Sequence, residues 1–174
     1  MASVWEVLLY SVLLLAFQGA LAPALQVSGW AWPMPYVLFW LFLPFSWRWE
    51  WEIGAAVLFG GVLDILFPPI GLQTFCGLWV WGLRRFWLRL LHPSLVSDEA
   101  RMFAPQRLST LDFFLYAMPL TLWHHLWYFP LAEWRLHFST LGRALLSSTY
   151  TFVWEWIIFE LLLRKPHVAR RSPR

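Results

Sequence analysis

The stretch "LFGGVLDILFPPIG", Leu58 to Gly71, places one acidic residue, Asp64, inside an otherwise apolar run. Gly60 and Gly61 lie four and three residues before Asp64, so all three share one face of a helix. Small residues on that face allow the backbone of a second helix to approach closely. The prolines that follow cannot continue a regular helix, so the chain turns there. We therefore expect Asp64 near the end of a helix, in contact with a close neighbour.

Composition indicates what surrounds this run. Of the 174 residues, 60% are hydrophobic and 13% are charged, whereas about 25% of the residues of a soluble domain are charged. The charges cluster between long apolar blocks. Many of the 15 tryptophans lie near the ends of those blocks, as is typical of rings at the lipid headgroup level. We therefore expect an all-α integral membrane protein.

Six apolar segments predict about six transmembrane helices in a single polytopic membrane domain over residues 1–174. A helix needs about 20 residues to cross the hydrocarbon core. The second and third segments are shorter and share the hairpin "SWRWEWE", Ser46–Glu52, so five helices is the alternative count. The helices are expected near residues 4–22, 32–45, 53–67, 71–91, 111–129 and 141–163, with a basic cytoplasmic tail at 164–174.

The positive charges predict the orientation. Of the 13 lysines and arginines, all except Arg135 and Arg143 fall on one side of the membrane if successive helices alternate in direction. Such an imbalance predicts that both termini are cytoplasmic (N-in, C-in). Basic residues beside membrane helices set topology and contact anionic lipid, so membrane lipids are expected as partners and nucleic acid is not.

Asp64 is the first candidate functional residue, because an unpaired charge in hydrocarbon is unfavourable. Three roles are open for it. It is a structural clamp that accepts hydrogen bonds from free backbone donors or a neighbouring helix, a direct contact with another subunit or ligand, or an acid–base catalyst. The structural role is the one we expect.

Two histidines, His124 and His125, lie in the fifth segment beyond the kink expected at Pro119. Adjacent helical residues point about 100° apart, so only one of the two can face a given partner. Both lie at a depth comparable to that of Asp64, which makes an Asp64–His pair geometrically possible. A zinc site needs further ligands, and none lies at the right spacing. We therefore expect a hydrogen-bonded helix contact here, with no metal and no cofactor.

The sixth segment carries a polar stripe, because Ser147, Thr151 and Glu155 recur every four residues. A stripe of this kind more often joins helices than lines a pore. Glu155 is expected in the cytoplasmic half of the membrane, whereas Asp64 lies near the opposite face. The two carboxylates are therefore poorly placed to act as a catalytic pair, so we predict no catalytic residue and no enzymatic activity.

The connection between the fifth and sixth segments is charged, with Glu133, Arg135, His137 and Arg143 close together. A solvated loop is the expected structure. The loop is also the natural place for a periplasmic partner to dock, which makes Glu133 a candidate partner contact.

Four stretches of the chain carry a resemblance to a known family. They are "PYVLFWLFLPF" (Pro35–Phe45), "FGGVLDILFPPIGLQT" (Phe59–Thr74), "GLRRFWLRLL" (Gly82–Leu91) and "HHLWYFPLAEW" (His124–Trp134). In order and spacing they resemble the rod-shape-determining protein MreD family of the bacterial inner membrane. The chain departs from that family in its high tryptophan content, in the Pro-Pro pair after Phe67 and in a first helix without a recognisable signature.

The resemblance implies a function. Members of the family are small multi-pass scaffolds without established catalysis, and they act in cell shape and peptidoglycan elongation. Their partners are MreC, RodA, a class B penicillin-binding transpeptidase and, indirectly, the MreB cytoskeleton. The resemblance also implies a fold similar to the substrate-binding subunits of energy-coupling-factor vitamin transporters, and it matches Asp64 to the family's acidic position in the third helix. We therefore expect a non-catalytic inner-membrane scaffold that binds an MreC-like partner.

Two other functions remain open. A substrate-binding membrane subunit of a vitamin or small-molecule transporter would share the six-helix plan and would hold a ligand in an outward pocket. An intramembrane lipid-processing enzyme would require Asp64 or Glu155 for catalysis.

Overall fold

The computed structural model describes residues 4–91 and 108–163. Within these ranges the chain is helical and has no β-strand, apart from an isolated bridge between Val27 and Ala31. The all-α class expected from the sequence is therefore confirmed. The basic tail at 164–174 and most of the connection between the fourth and fifth helices lie outside the described residues.

Each of the six apolar segments contains a helix. The helices are α1 (Val4–Ala16, continued by a π-helical turn, Phe17–Leu21), α2 (Leu38–Phe42, preceded by a 3₁₀ turn, Pro35–Val37), α3 (Trp49–Leu66), α4 (Leu72–Leu91), α5 (Thr110–Glu133) and α6 (Phe138–Ile158, continued by a π-helical turn, Phe159–Leu163).

The second helix differs most from the prediction. A membrane-crossing segment was expected over residues 32–45, but the helical residues span only Pro35–Val37 and Leu38–Phe42. Eight residues reach about 12 Å, well short of a hydrocarbon core of about 30 Å. Every residue of α2 is buried, so this helix is a core element inside the bundle and is too short to be a transmembrane span.

Other helix boundaries differ by a few residues. The helix α3 begins at Trp49, so the last four of the seven residues of the expected hairpin "SWRWEWE" form its first turn. Glu50 and Glu52 lie in that turn, where the positive end of the helix dipole favours acidic side chains. At the other end of the bundle, α5 continues to Glu133 and α6 starts at Phe138, which shortens the connection between them.

The packing places α2 at the centre. The helix α4 contacts α3, α5 and α2, and α5 packs along α6. Trp40 of α2 is fully buried, and a Cβ atom on Gly77 of α4 would lie 2.1 Å from its ring. Glycine is therefore needed at position 77 for α4 to approach α2. The helix α1 packs on α2 and on the turn before it.

One described helix could cross a membrane, judged by its length and composition. Among the described residues, Val4–Leu21 near the N-terminus has the length and composition to cross a membrane, with a mean hydropathy of 1.7. Signal sequences and the core helices of soluble proteins can have the same length and composition. The multi-pass arrangement remains a prediction.

Candidate functional site

Asp64 joins the end of α3 to the start of α4. Its Oδ1 accepts a hydrogen bond from the backbone N–H of Gln73 (2.7 Å), and its Oδ2 accepts from the backbone N–H (3.2 Å) and the Oγ1 hydroxyl (2.5 Å) of Thr74. The first N–H groups of a helix have no intrahelical partner, and a carboxylate there also interacts favourably with the helix dipole. Of the three roles left open by the sequence, these hydrogen bonds correspond to the structural clamp.

The two glycines of the same stretch have different surroundings. A Cβ atom on Gly60 would lie 2.7 Å from the Cα of Thr74, whereas a Cβ atom on Gly61 would meet nothing within 4 Å. Of the two glycines, Gly60 is therefore the one in close contact with the backbone of α4. The expectation that both glycines face the neighbouring helix is corrected for Gly61, because α4 crosses α3 on the Gly60 side.

The Asp64 clamp continues into a buried polar chain. The Tyr36 hydroxyl donates to Oε1 of Gln73 (2.5 Å), and Nε2 of Gln73 donates to the Tyr128 hydroxyl (3.4 Å). All three side chains are buried. These hydrogen bonds connect α3 and α4 to the turn that precedes α2 and to α5.

His125 forms the expected hydrogen-bonded helix contact. Its Nδ1 lies 2.8 Å from the backbone oxygen of Thr121, and its Nε2 lies 3.1 Å from Oγ1 of Thr151 in α6. Because a nitrogen facing a carbonyl must donate, Nε2 of the neutral ring is the acceptor and the Thr151 hydroxyl is its donor. His125 therefore joins α5 to α6.

His124 has a different environment. Its ring packs between aromatic side chains, with centroids 5.8 Å from Tyr36, 5.9 Å from Tyr128 and 6.3 Å from Trp40. Neither ring nitrogen has a hydrogen-bond partner among the described residues. Within that part of the chain Asp64 hydrogen-bonds Gln73 and Thr74, and the Asp64–His pair considered from the sequence is not formed.

The polar stripe of α6 binds the irregular segment that leads into α2. Ser147 Oγ accepts from the backbone N–H of Trp32 (3.0 Å), and Thr151 Oγ1 accepts from the backbone N–H of Met34 (2.9 Å). Glu155 Oε2 accepts from the Thr121 hydroxyl of α5 (2.7 Å). Because non-helical backbone leaves donors without partners, the stripe supplies the acceptors that allow this segment to be buried.

Glu133 closes the turn between α5 and α6. Its Oε1 pairs with Nη1 of Arg143 (2.5 Å), and its Oε2 accepts from the Thr140 hydroxyl (2.6 Å). Arg135 and His137, in the same connection, are exposed. Glu133 is therefore bound to α6, whereas Arg135 and His137 face solvent.

One buried charge cluster of the described residues was not predicted from the sequence. Glu52 of α3 and Arg84 of α4 form an ion pair of 2.6 Å with both side chains fully buried, and Arg85 pairs with the other carboxylate oxygen. From the sequence, Arg84 and Arg85 were interpreted as positive charges that set topology and as part of the stretch Gly82–Leu91, and not as partners of Glu52. A signal was present, because Glu52 lies 16 residues before Pro68 and Arg84 lies 15 residues after Pro69, which places them at matching depth on antiparallel helices.

Taken together, the buried acids of the described ranges hold helices together. Asp64 binds the start of α4, Glu52 binds two arginines of α4, and Glu155 binds α5. Asp64 and Glu155 share no hydrogen-bond partner, so the geometry does not assemble them as a carboxylate pair.

Comparisons of the chain with protein-family models, with curated proteins and with solved structures found no match.

Proposed function

We propose that this chain is a non-catalytic scaffold of the bacterial inner membrane that binds an MreC-like partner in the cell-shape and peptidoglycan-elongation complex. The proposal starts from the resemblance of "FGGVLDILFPPIGLQT", Phe59–Thr74, to the MreD family. One observation supports it most: the acid of this stretch accepts three hydrogen bonds from its last two residues, Gln73 and Thr74. The stretch is thus a self-contained structural joint, as a scaffold requires.

The outer surface of the bundle also supports a membrane location. Large apolar side chains of α3 point outward, with Leu58 72% and Ile65 79% exposed. Exposed apolar patches of this kind are rare on monomeric soluble proteins, and lipid would cover them. The buried ion pairs and hydrogen bonds then serve as joints between helices in a low-dielectric interior.

Clean deletion of the gene in its rod-shaped host tests the proposal. Loss of an elongation scaffold is expected to give round cells, and the wild-type gene is expected to restore rods. The tagged chain is expected to co-purify with a protein that has one membrane helix followed by a coiled coil. Unchanged rod morphology after deletion would overturn the proposed function.

The two other functions have less support. A transporter subunit needs interior space for its ligand, but the centre of this bundle is filled by fully buried side chains of the chain itself, including Tyr36 and Trp40. A lipid-processing enzyme needs an acid that can reach its substrate. Asp64 accepts three hydrogen bonds from the start of α4, and Glu155 is fully buried and accepts from Thr121 of α5.

A further inference from the structure

An apolar groove of about 850 Å³ runs along one side of the bundle, between α1 and α3. Its volume lies within the range of about 300–1,000 Å³ that small-molecule sites span. None of the described residues fills the groove. Both walls are mainly apolar, with Leu8, Val12 and Leu15 on α1 and Gly54, Leu58 and Val62 on α3. Ser11 also lines the α1 wall, and its hydroxyl donates to the carbonyl of Val7 in the same helix.

One end of this α1–α3 groove is cationic and aromatic. Trp47, Arg48 and Trp51 line that end, and the Arg48 side chain is 77% exposed. One nitrogen of Arg48, Nη2, pairs with Glu50 at 3.0 Å, and a guanidinium has five N–H donors. An exposed pair of this kind contributes little free energy. Arginine is suited to binding phosphate, and tryptophan is typical of the headgroup level.

The length of the groove matches one leaflet of a bilayer. From Trp51 to Val62, α3 rises about 16 Å, and half of a hydrocarbon core is about 15 Å. A helix is about 10–12 Å across with its side chains, so a stretch of that length would occupy roughly 1,500 Å³. A helix would therefore enter the groove only in part, whereas a narrow acyl chain fits along it.

We propose that the α1–α3 groove binds an acyl chain of a membrane glycerophospholipid whose phosphate is held by Arg48. The predicted N-in orientation places Arg48 at the cytoplasmic face, so the lipid belongs to the cytoplasmic leaflet. The inference rests on the membrane location in the proposed function and not on the partners of the scaffold.

Two probes of different headgroup test the site on the full chain in detergent. Native mass spectrometry is expected to detect bound palmitoyl-oleoyl-phosphatidylglycerol, and diacylglycerol, which lacks the phosphate, is expected to bind about tenfold more weakly, as the loss of one charge-assisted hydrogen bond predicts. The Arg48→Gln variant is expected to abolish this difference between the two lipids. Equal binding of both probes by the wild-type chain would overturn the role of Arg48.

A pair of glycine variants tests the groove itself. A Cβ atom on either Gly54 or Gly82 meets nothing within 4 Å, but Gly54 lines the groove and Gly82 of α4 does not. Gly54→Phe is expected to lower retention of both lipids at least about tenfold, while Gly82→Phe retains them like the wild type. Val12→Trp obstructs the groove from the opposite wall and provides a second variant at an exposed position.

Equal lipid retention by Gly54→Phe, Val12→Trp and Gly82→Phe, with wild-type circular dichroism, would overturn the proposal. The proposal would also be overturned if the purified protein held a membrane helix of another protein in the groove and no lipid. These outcomes are separate from failure of the proposed function: rods after gene deletion remove the scaffold role alone, whereas a chain that is monodisperse without detergent removes both.

Discussion

Arg84 and Glu52 form an ion pair of 2.6 Å in which both side chains are fully buried. Through Nη1 the same guanidinium donates to the backbone oxygens of Trp40 (2.9 Å) and Leu43 (2.6 Å). The last carbonyls of a helix have no intrahelical partner, and a cation there is favourable. One residue of α4 therefore joins α3 to the C-terminal end of α2 and holds the short central helix in place.

Replacing Glu52 tests the importance of this pair. In Glu52→Gln the Arg84 charge stays buried without its counter-charge, so we expect the free energy of unfolding to fall by about 3–5 kcal/mol. Tryptophan fluorescence during chemical denaturation in detergent measures it. Glu50→Gln is the control: it breaks the exposed pair with Arg48, and we expect a change below about 1 kcal/mol. Equal effects of the two variants would contradict the prediction.

Replacing Asp64 tests the clamp between α3 and α4. Asparagine keeps one acceptor oxygen, but its amide group faces the donors of Thr74, so Asp64→Asn is expected to lower the free energy of unfolding by about 1–3 kcal/mol. Thr74→Val removes the hydroxyl donor alone and is expected to have a smaller effect. Hydrogen exchange of the Gln73 and Thr74 amides reports the site directly. Wild-type protection of both amides in Asp64→Asn would show that the clamp is unimportant.

Two glycines of α4 are expected to respond differently to alanine. A Cβ atom on Gly77 would lie 2.1 Å from the Trp40 ring, so Gly77→Ala is expected to destabilise the bundle by about 1–3 kcal/mol through overpacking. Gly82 has open space around it, so Gly82→Ala is expected to be neutral or to stabilise by up to about 1 kcal/mol, because alanine is the better helix former. Thermal unfolding followed by circular dichroism compares the two, and the same sign for both would refute the packing argument.

The α6 stripe is tested by two threonines that differ in burial. Thr151→Val leaves the N–H of Met34 without its acceptor and His125 without a hydroxyl partner, so a loss of about 1–3 kcal/mol is expected. Thr149 is exposed and, among the described residues, its hydroxyl donates to the carbonyl of Leu145 in its own helix, so Thr149→Val is expected to stay within about 0.5 kcal/mol of the wild type. Chemical denaturation of the two purified variants compares their stabilities with that of the wild type. A larger loss for Thr149→Val than for Thr151→Val would contradict the role of the stripe in joining helices.

Local sequence determined where α3 ends and which backbone groups lie close to Asp64. Apolar runs broken by Pro68, Pro69 and Gly71 predict where helices stop, because these residues interfere with helical backbone whatever surrounds them. Asp64 lies only nine residues before Gln73, so the tight turn alone brings its carboxylate to the free N–H groups of α4.

Tertiary structure decided which neighbour each face meets. Periodicity shows that Gly60, Gly61 and Asp64 share a side of α3, but the crossing of α4 selects Gly60. Sequence likewise did not distinguish His124 from His125. The His124 ring packs on Tyr36 and Trp40, whereas His125 hydrogen-bonds Thr151 of α6. From its apolar sequence, α2 is predicted to be a membrane span. In the structure it is buried, because acceptors of α6 bind the backbone before it and Arg84 binds the backbone at its end. These partners lie far away in the chain. The hydrophobic pattern of a segment predicts a helix and its apolar faces, because it depends on nearby residues. Which polar group binds which partner depends on how distant helices pack.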